Sequence, residues 1–261
     1  MQQDLPYNYS NIVLYKNDII SLFKKYGVNC DINDINVYRK SMVHKSYCTR
    51  KNETFDNGNL MCPGDCIPLQ EESNERLEFL GDAVINLIVG KYLFKRYPNE
   101  NEGFLTKIRT KLVNGSMLAQ LCSYTGIQKF MIVSRQIEDN NGRNNRKLME
   151  DVFEAFIGAM IIDLNSYDTI ETWLINLIED NIDFSDLVSQ NTNFKDVFIK
   201  KFQHKYNNLP KFLEVSAKQD TTGKYYTVCI KDKNGVLLST GSGYSKKIAE
   251  NEASKKALIS L

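Results

Sequence analysis

Several absences narrow the field before any motif is read. No run in the 261 residues approaches the roughly 18 uninterrupted apolar residues that a membrane span needs, so no membrane association is expected. The first residues, Met1 to Asn8, lack the basic-then-apolar plan of a secretory signal. Six cysteines in a chain this long do not argue for a disulfide framework. An intracellular and cytoplasmic protein is therefore expected. Histidine is scarce, with His44 and His204 alone, and Trp173 is the single tryptophan. A histidine on a helix face is ordinarily a packed, hydrogen-bonded residue, and His44 is read that way. Net charge is nearly absent too, at +1, while 42% hydrophobic and 25% charged residues are ordinary for a globular protein. The length allows one large domain, or a medium domain with a small one.

The near-neutral total hides an asymmetry. Residues 193–261 hold 13 Lys, no Arg and six Asp/Glu, a net of +7. That leaves 20 basic and 26 acidic residues in 1–192, a net of −6. A basic C-terminal module on an acidic body suggests a polyanion-binding piece joined to a metal-binding piece.

What the chain does have is concentrated in one stretch, Ser73 followed by NERLEFLGDAV at 74–84. It reads as a helix capped by Ser73 or Asn74 and continuing through Val89. Leu77, Phe79, Leu80, Val84, Leu87 and Ile88 are expected to supply the apolar cover of a mostly buried helix. Glu75, Glu78 and Asp82 fall at i, i+3 and i+7, which sets three carboxylates on one face. Like charges so placed repel, and such a cluster persists when a cation compensates it. The alternative for Glu75 is an acidic residue that suits a helix N-terminus. A second apolar helix, KLMEDVFEAFIGA at 147–159, carries Asp151 and Glu154 at i, i+3. Two such helices facing each other supply four oxygen ligands, which is what Mg²⁺ requires and what metal-assisted phosphodiester hydrolysis uses.

The stretch at 74–84 resembles the signature motif of the ribonuclease III family nearly without substitution. His44-Lys45-Ser46-Tyr47 resembles the family's short upstream motif, residues 102–113 its following helix, and 148–159 its second carboxylate helix. The resemblance runs over about 35–261. It implies that Glu78, Asp82, Asp151 and Glu154 are the catalytic, metal-binding carboxylates, with Glu75 and Glu102 in supporting acidic positions. It also implies Mg²⁺ as cofactor, with Mn²⁺ as a substitute, a homodimer, and products with 5′-phosphate and 3′-hydroxyl ends.

Along the chain, a helix is expected over about 11–28 and another from Ile35 to about Tyr47. Residues 48–72 read as an insertion rich in Asn, Gly, Pro and charge. Its Cys62-Pro63-Gly64-Asp65-Cys66 turn reads as exposed with two free thiols; a tetrahedral zinc set with His44 and Cys48 is the alternative. From 74 to 180 the chain is expected to be helical almost throughout, broken near Pro98-Asn99, Gly126 and 139–145. Lys107, Arg109 and Lys111 read either as a phosphate-facing or as a solvated basic face. Gln136-Ile137-Glu138 stands where the family carries a Gly-Glu pair.

The domain plan is an endonuclease domain over 11–180, a polar linker over 181–192 and a second domain over 193–261. That second domain reads as helix 194–206, strands at 213–217, 225–231 and 236–240, and a helix from Ser245 to Leu261. This α-β-β-β-α order resembles the double-stranded-RNA-binding domain. In GSGYSKKIAE at 241–250, a glycine turn delivers Lys246 and Lys247 to a helix N-terminus, which attracts phosphate. The resemblance implies RNA contacts by Lys246, Lys247 and Gln203, and Lys200 is added as a basic position on the first helix. Ile199 and Lys200 replace the family's amide-Glu pair, and Thr222 replaces a histidine. Fewer hydroxyl contacts and more lysine predict less exact, more salt-sensitive binding.

The fold class expected is thus multidomain, an all-α ribonuclease III endonuclease domain plus an α-β-β-β-α module. The function expected is Mg-dependent endonucleolytic cleavage of double-stranded RNA. The alternatives are a non-cleaving protein that sequesters duplex RNA, and a small-molecule Mg²⁺ hydrolase. All four carboxylates are present, against the first, and the C-terminal module argues against the second.

Overall fold

A computed structural model describes residues 6–49, 62–189, 194–220 and 223–261. The chain divides into two compact units, Met1–Leu187 and Val188–Leu261.

The first unit is helical, with α1 (Lys16–Lys25), α2 (Ile35–Ser41), α3 (Glu75–Arg96), α4 (Glu102–Leu112), α5 (Gly115–Thr125), α6 (Arg135–Asp139), α7 (Arg146–Leu164), α8 (Tyr167–Asn181) and α9 (Phe184–Ser189). Helix α7 lies at its centre, buried without interruption from Val152 to Met160. A helix that is apolar all round belongs inside, and α7 satisfies this by packing α3 on one side and α2, α5 and α8 on others. Trp173 of α8 closes the core among Phe23, Tyr26, Phe153 and Phe156, with ring centroids 5.8–6.5 Å away. Its indole N–H donates to Leu22 O at 3.3 Å.

The contact of α3 with α7 is the largest between helices among the described residues. It is possible because two glycines meet there. A Cβ on Gly81 would fall 1.7 Å from Glu154 O, and one on Gly158 would fall 2.1 Å from Leu77 O. Backbone therefore touches backbone, and the carboxylates on either side of this crossing are brought together.

Five expectations differ from the structure. Phe79 and Leu87 are not part of the core cover: they are 81% and 60% exposed, whereas Leu77 and Ile88 are buried as expected and Ile85 and Val89 join them. Helix α2 stops at Ser41 rather than near Tyr47, because Val43 forms a parallel bridge with Ile132. Ile132 N donates to Met42 O at 2.8 Å and His44 N to Ile132 O at 3.0 Å, a pairing that pulls the backbone out of helix. Further breaks at 113–114, 131–134 and 165–166 divide the helical region, and α1 is shorter than 11–28. The stretch read as a polar linker carries α9, whose Phe184 and Leu187 are buried in the first unit's core; 190–193 lie outside the described residues. Arg96 explains part of this, stacking 4.4 Å from the Phe184 ring.

The second unit runs α10 (Phe194–Tyr206), β1 (Lys211–Asp220), β2 (Gly223–Lys231), β3 (Leu237–Gly243) and α11 (Lys246–Ile259). Its sheet is antiparallel in the order β1-β2-β3, with Phe212 opposite Ile230 and Thr227 opposite Ser242. Phe198, Phe202, Ile230, Ala253 and Ala257 form its core between helices and sheet. The expected α-β-β-β-α order holds, with each strand longer than read. No helix among the described residues is long and apolar enough to cross a membrane.

Candidate active site

The crossing of α3 and α7 builds an acidic cleft lined by Glu75, Glu78, Phe79, Asp82, Lys147, Glu150 and Glu154. Oxygens of Glu78, Asp151 and Glu154 all lie within 4.8 Å of one another, the only group of three or more potential metal-ligating residues among those described. Glu154 is 6% exposed and has no hydrogen-bond or ion-pair partner among the described residues. Burial first, and then the charges of Asp82, Glu150 and Glu78, push its carboxyl up to about 8. Glu78 is raised as well, chiefly by burial and next by Asp151, with Lys147 opposing.

One cation already stands at this cleft. Lys147 Nζ lies 2.7 Å from Asp151 Oδ1, 3.6 Å from Glu150 Oε2 and 3.8 Å from Glu78 Oε1. Its pKa is raised by the Asp151 carboxylate before all else.

The remaining acidic residues are placed less centrally. Asp82 lines the cleft and accepts from Asn86 Nδ2 at 2.8 Å. Glu75 lines it too, but accepts from Ser73 Oγ at 3.0 Å and from Lys45 Nζ at 3.3 Å. The Ser73 bond first, then Lys45, lowers its pKa. Glu102 sits in the first turn of α4 and accepts from Thr106 Oγ1 at 2.8 Å, outside the cleft lining.

In the second unit, Ser245 caps α11 by accepting from Ile248 N at 3.2 Å. Lys246 and Lys247 open that helix and are exposed, as are Lys200 and Gln203 on α10. Lys246 Nζ pairs with Glu214 Oε2 of β1 at 2.7 Å.

The Ribonuclease III domain family matches residues 75–165, and the double-stranded RNA binding motif matches 194–261. Ribonuclease 3 of a Nitratiruptor species is 32% identical over 235 residues, covering 90% of this chain and 93% of that protein. The chain belongs to the ribonuclease III family. The probable ribonuclease 3 of Acanthamoeba polyphaga mimivirus is 32% identical over 252 residues, covering 96% of this chain, which spans 46% of that protein's length. The nuclease domain of ribonuclease III from Campylobacter jejuni is similar in structure, with a TM-score of 0.50 at 29% identity, covering 64% of this chain and 97% of that one. The helical nuclease fold and the RNA-binding module of a ribonuclease III are therefore both present.

Within this ribonuclease III the structure brings Glu78, Asp151 and Glu154 together, sets Asp82 at the same cleft and leaves Glu102 out of its lining. Lys147 and Glu150 line the same cleft, and the sequence reading does not single them out. The signal is available, since 147, 150, 151 and 154 recur at helical spacing on the carboxylate face. The zinc alternative is not assembled, because His44, Cys48, Cys62 and Cys66 form no ligand group among the described residues. Cys62 and Cys66 are free thiols, but partly buried rather than exposed. Residues 50–61 of the insertion, and Thr222, lie outside the described residues. His44 is a packed residue, though it caps the turn Lys45–Tyr47 instead of ending a helix, accepting from Ser46 N at 3.2 Å. Glu138, in the departure from the Gly-Glu pair, is held by Arg143 at 2.7 Å.

Proposed function

We propose that this ribonuclease III cleaves double-stranded RNA endonucleolytically, using Mg²⁺ held by Glu78, Asp82, Asp151 and Glu154 and leaving 5′-phosphate and 3′-hydroxyl ends. The observation that carries the reading is Glu154, a buried carboxylate without a protein partner beside two others. Burying an unpaired carboxylate is costly unless a cation or proton joins it. An all-oxygen donor set suits a hard divalent cation, so the residues fit Mg²⁺, with Mn²⁺ able to replace it. Held there, the ion would activate water and offset negative charge at the phosphate.

The chain's own residues do the rest. Glu78 and Asp82, one turn apart on α3, face Asp151 and Glu154, one turn apart on α7, and the glycine crossing keeps both pairs in register. Lys246 and Lys247 meet phosphates at the start of α11, with backbone N–H groups adding to the attraction, and Lys200 and Gln203 contact RNA from α10. We assign the endonuclease domain to 11–187, which takes in the part of α9 packed into its core, and the RNA-binding domain to 193–261. A homodimer fits the exposed stripe of Phe79, Leu87 and Phe94 on α3, which are 81%, 60% and 70% exposed and at helical spacing. A solved Campylobacter jejuni relative is described as having a region involved in dimer formation.

The test is incubation of the full chain with end-labelled long RNA duplex and with single-stranded RNA of the same length, in Mg²⁺ and in EDTA. Metal-dependent shortening of the duplex alone, to fragments with 5′-phosphates, is expected. Tight duplex binding with no cutting in Mg²⁺ or Mn²⁺ would overturn it and favour sequestration.

A further inference from the structure

Lys147 stands where the proposed cation would be wanted. Its ammonium is shared by Asp151 at 2.7 Å, Glu150 at 3.6 Å and Glu78 at 3.8 Å. Two of those, Glu78 and Asp151, belong to the three-carboxylate group whose oxygens lie within 4.8 Å. The geometry points to competition: Lys147 and a divalent cation claim the same carboxylate oxygens, so that Lys147 is the counter-ion of the metal-free chain and withdraws when metal is held. This deepens the metal-dependent reading above and rests on it.

Three features support an exchange. The carboxylates repel one another when ionised, and Lys147 relieves part of that repulsion at Asp151 and Glu78. Its side chain is 63% exposed on a flexible four-carbon stem, so leaving the pair removes little packing. Glu150 gives it somewhere to stay. That carboxylate is outside the three-carboxylate group and rests against Gly115 at the first turn of α5, where a Cβ would fall 2.4 Å from Glu150 Oε2. Lys147 and Glu150, at i and i+3 on α7, remain neighbours after Asp151 and Glu78 are released. The metal requirement of the enzyme is then set partly by a lysine that never needs to touch the metal.

An opposite role has an opposite sign. If Lys147 instead held the carboxylates in place for the metal, its removal would weaken metal binding. Mn²⁺ titration of the full chain without RNA, read by the paramagnetic resonance of free Mn²⁺, separates the two. Lys147→Met is expected to bind Mn²⁺ about fivefold more tightly than the wild-type chain. Its metal-free melting temperature should fall, and the rise on adding metal should be larger. Lys147→Arg, which keeps the charge, should bind as weakly as wild type. Lys147→Gln repeats the test should the methionine disturb the helical circular dichroism. Unchanged or weaker binding by a folded Lys147→Met chain would overturn the competition while leaving the metal site standing. No Mn²⁺ binding by the wild-type chain would overturn the metal reading itself, and the competition with it.

Discussion

Gly81→Ala should separate the two helices that hold the carboxylates. The added methyl would lie 1.7 Å from Glu154 O, 2.6 Å from Glu154 C and 2.9 Å from Gly158 N, all backbone atoms that no rotamer change can move. Restoring ordinary contact at 3.4 Å would part α3 from α7 by about 1.7 Å along that line. Two effects oppose each other. Alanine in a helix interior gains about 1 kcal/mol over glycine. Overpacking a tight core costs about 1–3 kcal/mol and occasionally more, and a 1.7 Å approach to a backbone oxygen stands at the top of that range or above it. The second wins here, because α3 and α7 share the largest helix contact and cannot part without opening the core. A net loss of about 2 kcal/mol or more is expected, lowering the melting temperature of the nuclease unit by about 4–8 °C. Scanning calorimetry of the full chain measures it. Gly64→Ala is the control, since a Cβ there meets nothing within 4 Å, and its melting temperature should stay put. An unchanged or higher melting temperature for Gly81→Ala would refute the close-crossing argument.

The raised carboxyl of Glu154 makes metal-free stability depend on pH. Its folded pKa of about 8 lies above the ordinary 4.5, so its stabilising contribution is fully present below about 4.5 and lost as pH rises through about 8. In EDTA the melting temperature should therefore fall across that window, and Glu154→Gln should flatten the decline. Lys246→Ala with Lys247→Ala should weaken RNA binding alike across duplex sequences and reduce the slope of log K against log salt by about 2, measured by filter binding in EDTA. Phe79→Ser should shift the chain toward monomer in light scattering while its helical circular dichroism stays unchanged, because the ring is 81% exposed in the single chain.

The carboxylate spacing is readable in the sequence because helical periodicity is local: i, i+4 on α3 and i, i+3 on α7 fix which side chains share a face. Which face of α3 turns inward is not. With apolar residues nearly all round, Phe79 and Leu87 read as core just as Leu77 and Ile88 do, and a stripe without phase gives no direction. The end of α2 depends on Ile132, about ninety residues along, which no local signal near Tyr47 announces. Phe184 and Leu187 escape a sequence reading because their neighbours are polar, yet Tyr92 and Arg96 of α3 receive the Phe184 ring. In the second unit, alternation and the turns around it place all three strands, while their ends extend through ladder pairing such as Lys211 with Lys231. Lys147 illustrates the remaining gap: its position on the acidic face is visible in the sequence, but its reach across to Glu78 depends on the α3–α7 crossing.

The most direct test of the central claim is a paired measurement on Glu154→Gln and the wild-type chain, scoring duplex binding and duplex cleavage in one Mg²⁺ reaction. The substitution keeps the shape of the side chain and removes its charge from the cleft. Cleavage reduced at least about a hundredfold with duplex affinity unchanged is the expected result. Cleavage within about twofold of wild type at the same affinity would contradict the assignment of this carboxylate cluster as the catalytic centre.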